Sequence, residues 1–292
     1  FFHIGTDQLE QVLYNIYEDY KKRQNIYFHF NNKINNITSI AGKIILDNEE
    51  AFDKVVIAVG RSGHKLIKKI ITKFPDLVTD NTKVDLGVRF ELPTHIVKEL
   101  NDEMYEFKVK YKSKTGYIVR TFCNNPNGFV VTENYGDFAT VNGHSKLKEK
   151  SQNTNFAILT TINFTEPFDD PIGYGSHIAQ LTNILAGENK VILQTYRNFK
   201  NSKRTKHLYR VQPTLNKNEY ILGDINLAFP RRIAESIIDF IENLDKVVPG
   251  VANNDNLLFI FYIIFDSINI IFIFIGNRIN IIMINLCKYS SL

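Results

Sequence analysis

Cysteine is nearly missing from this chain of 292 residues: Cys123 and Cys287 are the two, far apart and in unlike surroundings. That excludes a disulfide scaffold and a cysteine-rich metal site, and it points to a reducing compartment. No metal-ligand spacing, carboxylate pair, P-loop or Ser-His-Asp arrangement stands out, so hydrolase and kinase chemistry have no foothold. The G-x-G-x-x-G loop that holds a dinucleotide pyrophosphate is absent as well. Its nearest approach, G-Y-G at 173–175, has no third glycine and no strand before it, and reads as the start of a helix. No repeat of about 20 to 50 residues is visible. The opening F-F-H-I-G-T-D carries no initiating Met and no charged-then-apolar leader pattern, and the chain reads as starting inside a domain. Acids are missing between Glu188 and Glu219, where Lys190, Arg197, Lys200, Lys203, Arg204, Lys206 and Arg210 fall. With few aromatics among them, this run reads as a solvated loop and not as a nucleic-acid surface.

What is present is globular: 44% apolar and 23% charged residues, with a formal charge of +4. The chain is organised around Asp53 to Gly63, where Val55, Val56, Ile57, Ala58 and Val59 run without alternation into Gly60. An unbroken β-branched run predicts a strand buried on both faces of a parallel sheet, and its small-residue end lets a ligand approach the backbone. Before it, a helix is expected from Thr6 or Asp7, then a strand over Ile26 to Phe30 and a small hairpin broken at Ala41-Gly42. After it, His64 to Phe74 predicts a short helix, and from Val84 the period changes from 3.6 to 2. Strands are expected at Val84 to Leu92, Gly116 to Phe122, Gly128 to Thr132, Phe138 to Val141 and Asn155 to Phe164. The turn N-N-P-N-G places Asn127 where a positive φ is tolerated. Helices follow at Gly173 to Leu185 and after Pro230. The expected fold is an α/β part, half of a doubly wound domain, followed by an α+β domain rich in antiparallel strands.

Read in order, these segments resemble one family, the flavoproteins described as FAD-dependent dehydrogenases or NAD(P)/FAD-dependent oxidoreductases. The segments are H-I-G-T-D-Q-L at 3–9, V-V-I-A-V-G-R-S-G at 55–63 and D-L-G-V-R-F-E at 85–91. They continue with T-F-C-N-N-P-N-G-F-V-V at 121–131, V-N-G-H-S at 141–145, T-N-F-A-I-L at 154–159, and F-P-R-R-I with V-V-P-G at 229–233 and 247–250. The resemblance implies a partial FAD-binding domain over 1–80 that lacks the first strand and glycine loop, and a second, substrate-like domain over 81–256. It implies FAD as cofactor, with NAD(P)H as a candidate electron donor and a small-molecule substrate of unknown kind. Carried over residue by residue, the cofactor-lining set is His3, Gly5, Thr6, Asp7, Ile34, Ala58 and Gly60. No catalytic residue and no metal ligand is assigned. The competing expectation is a non-catalytic remnant or binding module that holds no flavin.

Other candidates read more plainly. Cys123 reads as a small buried hydrophobe, and His144 is not assigned a catalytic role. His64 covers a cofactor edge or faces solvent. Arg89 and Glu91 share one strand face, where a cross-strand ion pair is the first expectation and a ligand contact the second. Tyr220 to Asp224 ends in Gly-Asp and reads as a structural segment of the second domain. From Leu257 an apolar tail to 292 is expected. Its 257–275 stretch is long enough to anchor the chain in a bilayer, against the competing expectations of a cytoplasmic protein and of a frameshift product.

Overall fold

The computed structural model describes residues 4–47, 50–59, 63–73, 83–165, 167–168, 170–187, 190–263 and 271–274. In chain order the elements are α1 (Thr6–Lys21), β1 (Ile37–Ile40), β2 (Lys43–Leu46), β3 (Glu50–Phe52), β4 (Lys54–Ile57), α2 (His64–Lys73), β5 (Lys83–Pro93), α3 (Lys98–Glu103), β6 (Lys110–Lys112), β7 (Ile118–Asn125), β8 (Phe129–Asn134) and β9 (Ala139–His144). There follow β10 (Asn153–Asn163), α4 (Pro171–Ala186), β11 (Val191–Thr195), α5 (Tyr196–Lys200), β12 (Tyr220–Leu222), α6 (Arg231–Asp245), β13 (Leu257–Ile263) and β14 (Ile271–Phe274). Helices and mixed sheets together give an α/β architecture in two compact units. One comprises residues 1–11 and 82–264, the other 12–81 and 265–292.

The larger unit is built on a seven-stranded sheet of order β12-β11-β13-β5-β10-β7-β6, with the β8-β9 hairpin as a separate pair. Strands β5 and β10, eleven residues each, pair antiparallel along their whole length, Lys83 opposite Asn163 and Pro93 opposite Asn153. The alternation read from the sequence is therefore real, but both faces are covered, and nearly every residue of β5 is buried. One face carries Val84, Leu86, Val88, Phe90 and Leu92; Phe90 and Phe107 both meet Phe156 edge to face. Amphipathic α6 buries Ile233, Ile237, Phe240, Ile241 and Leu244. The G-Y-G segment lies in the first turns of α4, capped by Asp170, whose carboxylate accepts from the Gly173 amide. Asn127 takes the expected positive φ of 49°.

Strand β13 corrects the reading of the tail. Leu257 to Ile263 pairs with β11 on one side and β5 on the other, in the middle of the sheet, and Leu257, Leu258 and Phe259 are completely buried. An all-apolar run satisfies a strand covered on both faces as well as it satisfies a membrane span, and here the sheet takes it. Residues 264–270 and 275–292 of the expected tail, with Cys287, lie outside the described residues. No helix among the described residues is long and apolar enough to cross a membrane.

The smaller unit holds the antiparallel sheet β1-β2-β3 and the pair β4-β14. Its core is aliphatic: Ile34, Ile37, Ile44, Leu46, Val55, Ile57, Val59, Leu66, Ile67 and Ile70. Two expectations are corrected here. Strand β4 does not sit in a parallel sheet among the described residues; it pairs antiparallel with β14. Its burial alternates, Val55 and Ile57 inward with Lys54 and Val56 half-exposed. The expected strand over Ile26 to Phe30 is irregular chain, in which Phe28 and Phe30 stack on each other and both meet Tyr17 of α1. Its apolar residues find ring partners where a strand would have needed a neighbouring backbone.

Candidate functional site

Two of the residues that the sequence singles out, Arg89 and Glu91, share one face of β5 in the larger unit. Asp85, Gly87, Arg89 and Glu91 alternate with the apolar side chains of the other face. Arg89 is fully buried, and it stands opposite Ala157 on β10 and Phe259 on β13. A guanidinium in such a place costs several kcal/mol unless its donors are met. Its Nε donates to Asn155 Oδ1 at 2.7 Å, and Nη2 donates to the Cys123 carbonyl at 2.8 Å.

The carbonyl is in reach because β7 carries a bulge. Asn155 pairs with Asn125 and Ala157 with Phe122, so Cys123 and Asn124 together face the single residue Phe156. Cys123 takes a φ of 50°, a left-handed conformation uncommon for a residue with a side chain. The bulge turns its carbonyl toward Arg89. Asn125 Nδ2 donates to the same carbonyl at 2.8 Å, and Asn125 Oδ1 accepts from Ser145 Oγ at 3.1 Å. Gly143 closes the arrangement from β9. A methyl group there would sit 1.7 Å from Arg89 Nη2 and 2.3 Å from Asn155 Oδ1, so only glycine lets the guanidinium in.

From Ser145 the network reaches the start of the chain. The Thr6 amide donates to the Ser145 carbonyl at 2.8 Å, and the Leu147 amide donates to Asp7 Oδ1 at 2.8 Å. That amide is the main reason the Asp7 carboxyl is held below its ordinary value. Gly5, buried and with a φ of 89°, leaves no room for a side chain against Asp7 and Leu147. Segments 5–7, 89–91, 123–125, 143–145 and 155 are thus one connected hydrogen-bonded structure.

Glu91, two residues along β5, is met by neutral donors. Its Oε1 accepts from Thr214 Oγ1 at 2.6 Å, the Thr214 amide at 3.0 Å and Asn153 Nδ2 at 3.0 Å. Its Oε2 has no hydrogen-bond partner among the described residues. Burial pushes the carboxyl up to about 7, against the pull of these donors and of Arg89. The expectation of a cross-strand ion pair for Glu91 is corrected accordingly, since its hydrogen bonds run to an amide side chain and a loop threonine. An ion pair on this face lies at Asp85, which takes Arg120 and the Thr161 hydroxyl. His144, half-buried on β9, is pushed below its ordinary value by burial first and by Arg89.

The remaining sequence candidates are dispersed. Asp224 caps a short helical turn, accepting from the Asn226 amide and from Gln194 Nε2, which is the structural role expected of it. Ile34 belongs to the aliphatic core of the smaller unit, beside Asn35 and Asn36, whose amides are capped by Asp47. Ala58 follows β4 with its side chain exposed, a small residue at a strand end that leaves the backbone open to a ligand. His3 and Gly60, and the side chain of His64, lie outside the described residues. Toward a flavin, the set fits in part. Ala58 leaves room for close approach, whereas the Thr6 amide and the Asp7 carboxylate are spent on residues 145–147. Among the described residues no cluster of three or more metal-ligating side chains occurs. Asn155, Gly143, Asn125, Ser145 and Thr214 were not singled out from the sequence. The first four fall inside the quoted family segments, and that was the available signal.

This sheet with its buried polar face matches the family described as FAD-dependent protein, C-terminal domain-like, over residues 84–261, more than half of the chain. The chain belongs to that family. The match runs into β13, to residue 261, so the family likeness extends past Leu257. The chain is also similar to an uncharacterized protein of Clostridium beijerinckii, 26% identical over 280 residues, which cover 88% of this chain and 51% of that protein. The chain therefore spans about half the length of the curated relative it matches.

Proposed function

We propose that this chain is part of a FAD-dependent oxidoreductase, in which residues 84–261 form the domain that accompanies the cofactor domain and the smaller unit supplies part of the cofactor domain itself. One observation carries the reading: five segments far apart in sequence, each within or beside a family-resembling motif, meet in the hydrogen-bonded structure around Arg89. A bound flavin would supply the redox chemistry, and the protein binding and electrostatics. Ala58 and the Gly60 that follows it are assigned to the close approach of the cofactor. Gly5, Thr6 and Asp7 are assigned an indirect part, fixing residues 145–147. NAD(P)H is the proposed electron donor, and the cytoplasm the proposed location. The test is incubation of the purified chain with FAD, removal of free flavin, and an absorbance spectrum. Retained flavin absorbance in stoichiometric amount is expected; its absence overturns an independent oxidoreductase.

A second reading, a binding module or non-catalytic remnant without flavin, draws on the internal use of the Thr6 and Asp7 polar groups. It predicts the opposite spectrum. Its membrane-attached form has lost Leu257–Ile263 to the sheet. Fractionation of the full chain with membranes tests what is left of it, and recovery in the soluble fraction ends it.

A further inference from the structure

We propose that a groove beside α5, in the larger unit, binds a nucleoside phosphate. The groove is open to solvent, has a volume of about 570 Å³ and is lined by Arg197, Tyr209, Arg210, Asn253, Asn254 and Asp255. Arg197, Tyr209 and Arg210 come from the acid-free stretch between Glu188 and Glu219 and the other three from residues 253–255, so the positive potential of that stretch is offset locally by Asp255 alone among the lining residues.

Three features point to the ligand. First, the two guanidinia are uncommitted. Neighbouring cations are spent within the fold, Lys200 on Glu242 and Arg231 on Glu235. The side chains of Arg197 and Arg210 make no hydrogen bond or ion pair among the described residues. Two arginine forks over one cavity match the oxygens of a phosphate, which each can take through two parallel hydrogen bonds. Second, Tyr209 is 59% exposed and has no ring partner among the described residues, while the other aromatics of the stretch, Tyr196 and Phe199, are buried. One exposed ring is a platform for one base. A single-stranded nucleic acid would call for several. Third, the floor is preformed. The Tyr196 and Arg197 amides donate to the carbonyls of Asn256 (2.8 Å) and Asn254 (3.0 Å), and the Asp255 amide donates to Asn253 Oδ1 at 3.0 Å. Asn256 Nδ2 ties the loop to the Gly250 and Val251 carbonyls, so little ordering cost falls on binding. The Asp255 carboxylate and the Asn253 and Asn254 amides then meet sugar hydroxyls. Inorganic phosphate alone would leave most of the volume and the tyrosine unused.

The probe is ADP, titrated calorimetrically into the full chain without FAD and again with saturating FAD, with adenosine, inorganic phosphate and a single-stranded 12-mer as separate arms. The expected result is one ADP per chain, at least about tenfold tighter than adenosine or phosphate. Binding should weaken at least about tenfold in Arg197→Ala/Arg210→Ala and partly in Tyr209→Leu. All three side chains are exposed, so the variants should keep the wild-type melting temperature, and Arg197→Lys/Arg210→Lys should recover part of the affinity. The proposal is overturned by no ADP binding, by ADP binding unchanged in the double alanine variant, by tighter binding of the 12-mer than of ADP, or by loss of ADP binding when FAD is present. The last outcome would assign the ADP signal to the flavin. Flavin absorbance after incubation with FAD is read separately, so either proposal can fail alone.

Discussion

The two units of this chain are filled with different kinds of material. In residues 12–81 the buried side chains among those described are aliphatic, and none is polar or charged. In residues 82–264 the sheet buries Asp85, Arg89, Glu91, Asn153, Asn155 and Thr214's contacts with them on a face that an ordinary core would fill with Val and Leu. The comparison teaches that the larger unit is specified by directional contacts and the smaller by volume. An aliphatic core tolerates rearranged packing of equal size, whereas a buried polar network is stable only when its members are met together.

The comparison breaks most sharply at Gly143. Gly143→Ala should cost about 4 kcal/mol or abolish folding of the larger unit, because the new methyl collides with a guanidinium that has nowhere to go. Denaturant unfolding measures it, and a cycle with Arg89→Leu sharpens it. The pair should cost clearly less than the sum of the two single variants, since the collision disappears with the arginine. In the smaller unit, Ile57→Ala should cost about 3 kcal/mol, by lost burial and a cavity, and Ile57→Leu much less. The same volume-conserving tolerance is not expected at Arg89, where lysine cannot reproduce the fork that meets Asn155 and Cys123 together.

Glu91 gives the next effect, and it depends on pH. Its folded value of about 7 lies above the ordinary 4.5, so between those values the folded state keeps a proton that the unfolded chain has released. Its contribution to stability is therefore complete below pH 4.5 and is lost as pH rises through about 7. Glu91→Gln should raise the melting temperature at pH 8, by the equivalent of about 3 kcal/mol, and leave it nearly unchanged at pH 4.5. Equal shifts at both pH values would contradict a buried, neutral acid. The smallest effect belongs to the surface: Lys98→Ala removes an exposed pair with Asp102 and should change stability by less than about 0.5 kcal/mol.

Much of the larger unit could be read from the sequence. The period-two runs of β5 and β10, the Pro-led helix α6 and the turn around Asn127 each obey a local rule, and the structure follows it. What could not be read was partnership over distance. The sequence puts Arg89 and Glu91 on one face, but the groups that make their burial tolerable come from Asn155 and Thr214, 66 and 123 residues away. The bulge at Cys123 is equally silent, since nothing in F-C-N-N announces an extra residue opposite Phe156. Strand β13 was hidden for another reason: a continuous apolar run has no period, so a central strand and a membrane span look alike. In the smaller unit the run at Val55 suggested a parallel sheet, but apolar continuity reports burial and not the direction of the neighbour, which is β14 and antiparallel.

The central proposal is a division of labour, with the Arg89 network as framework and the end of β4 proposed as the place where a flavin is met. Hydrogen–deuterium exchange of the full chain with and without FAD tests it most directly. FAD should slow exchange at residues 54–59 and leave the amides of β5, paired on both sides, unchanged. Slowing confined to 84–261, or no change anywhere, would contradict it.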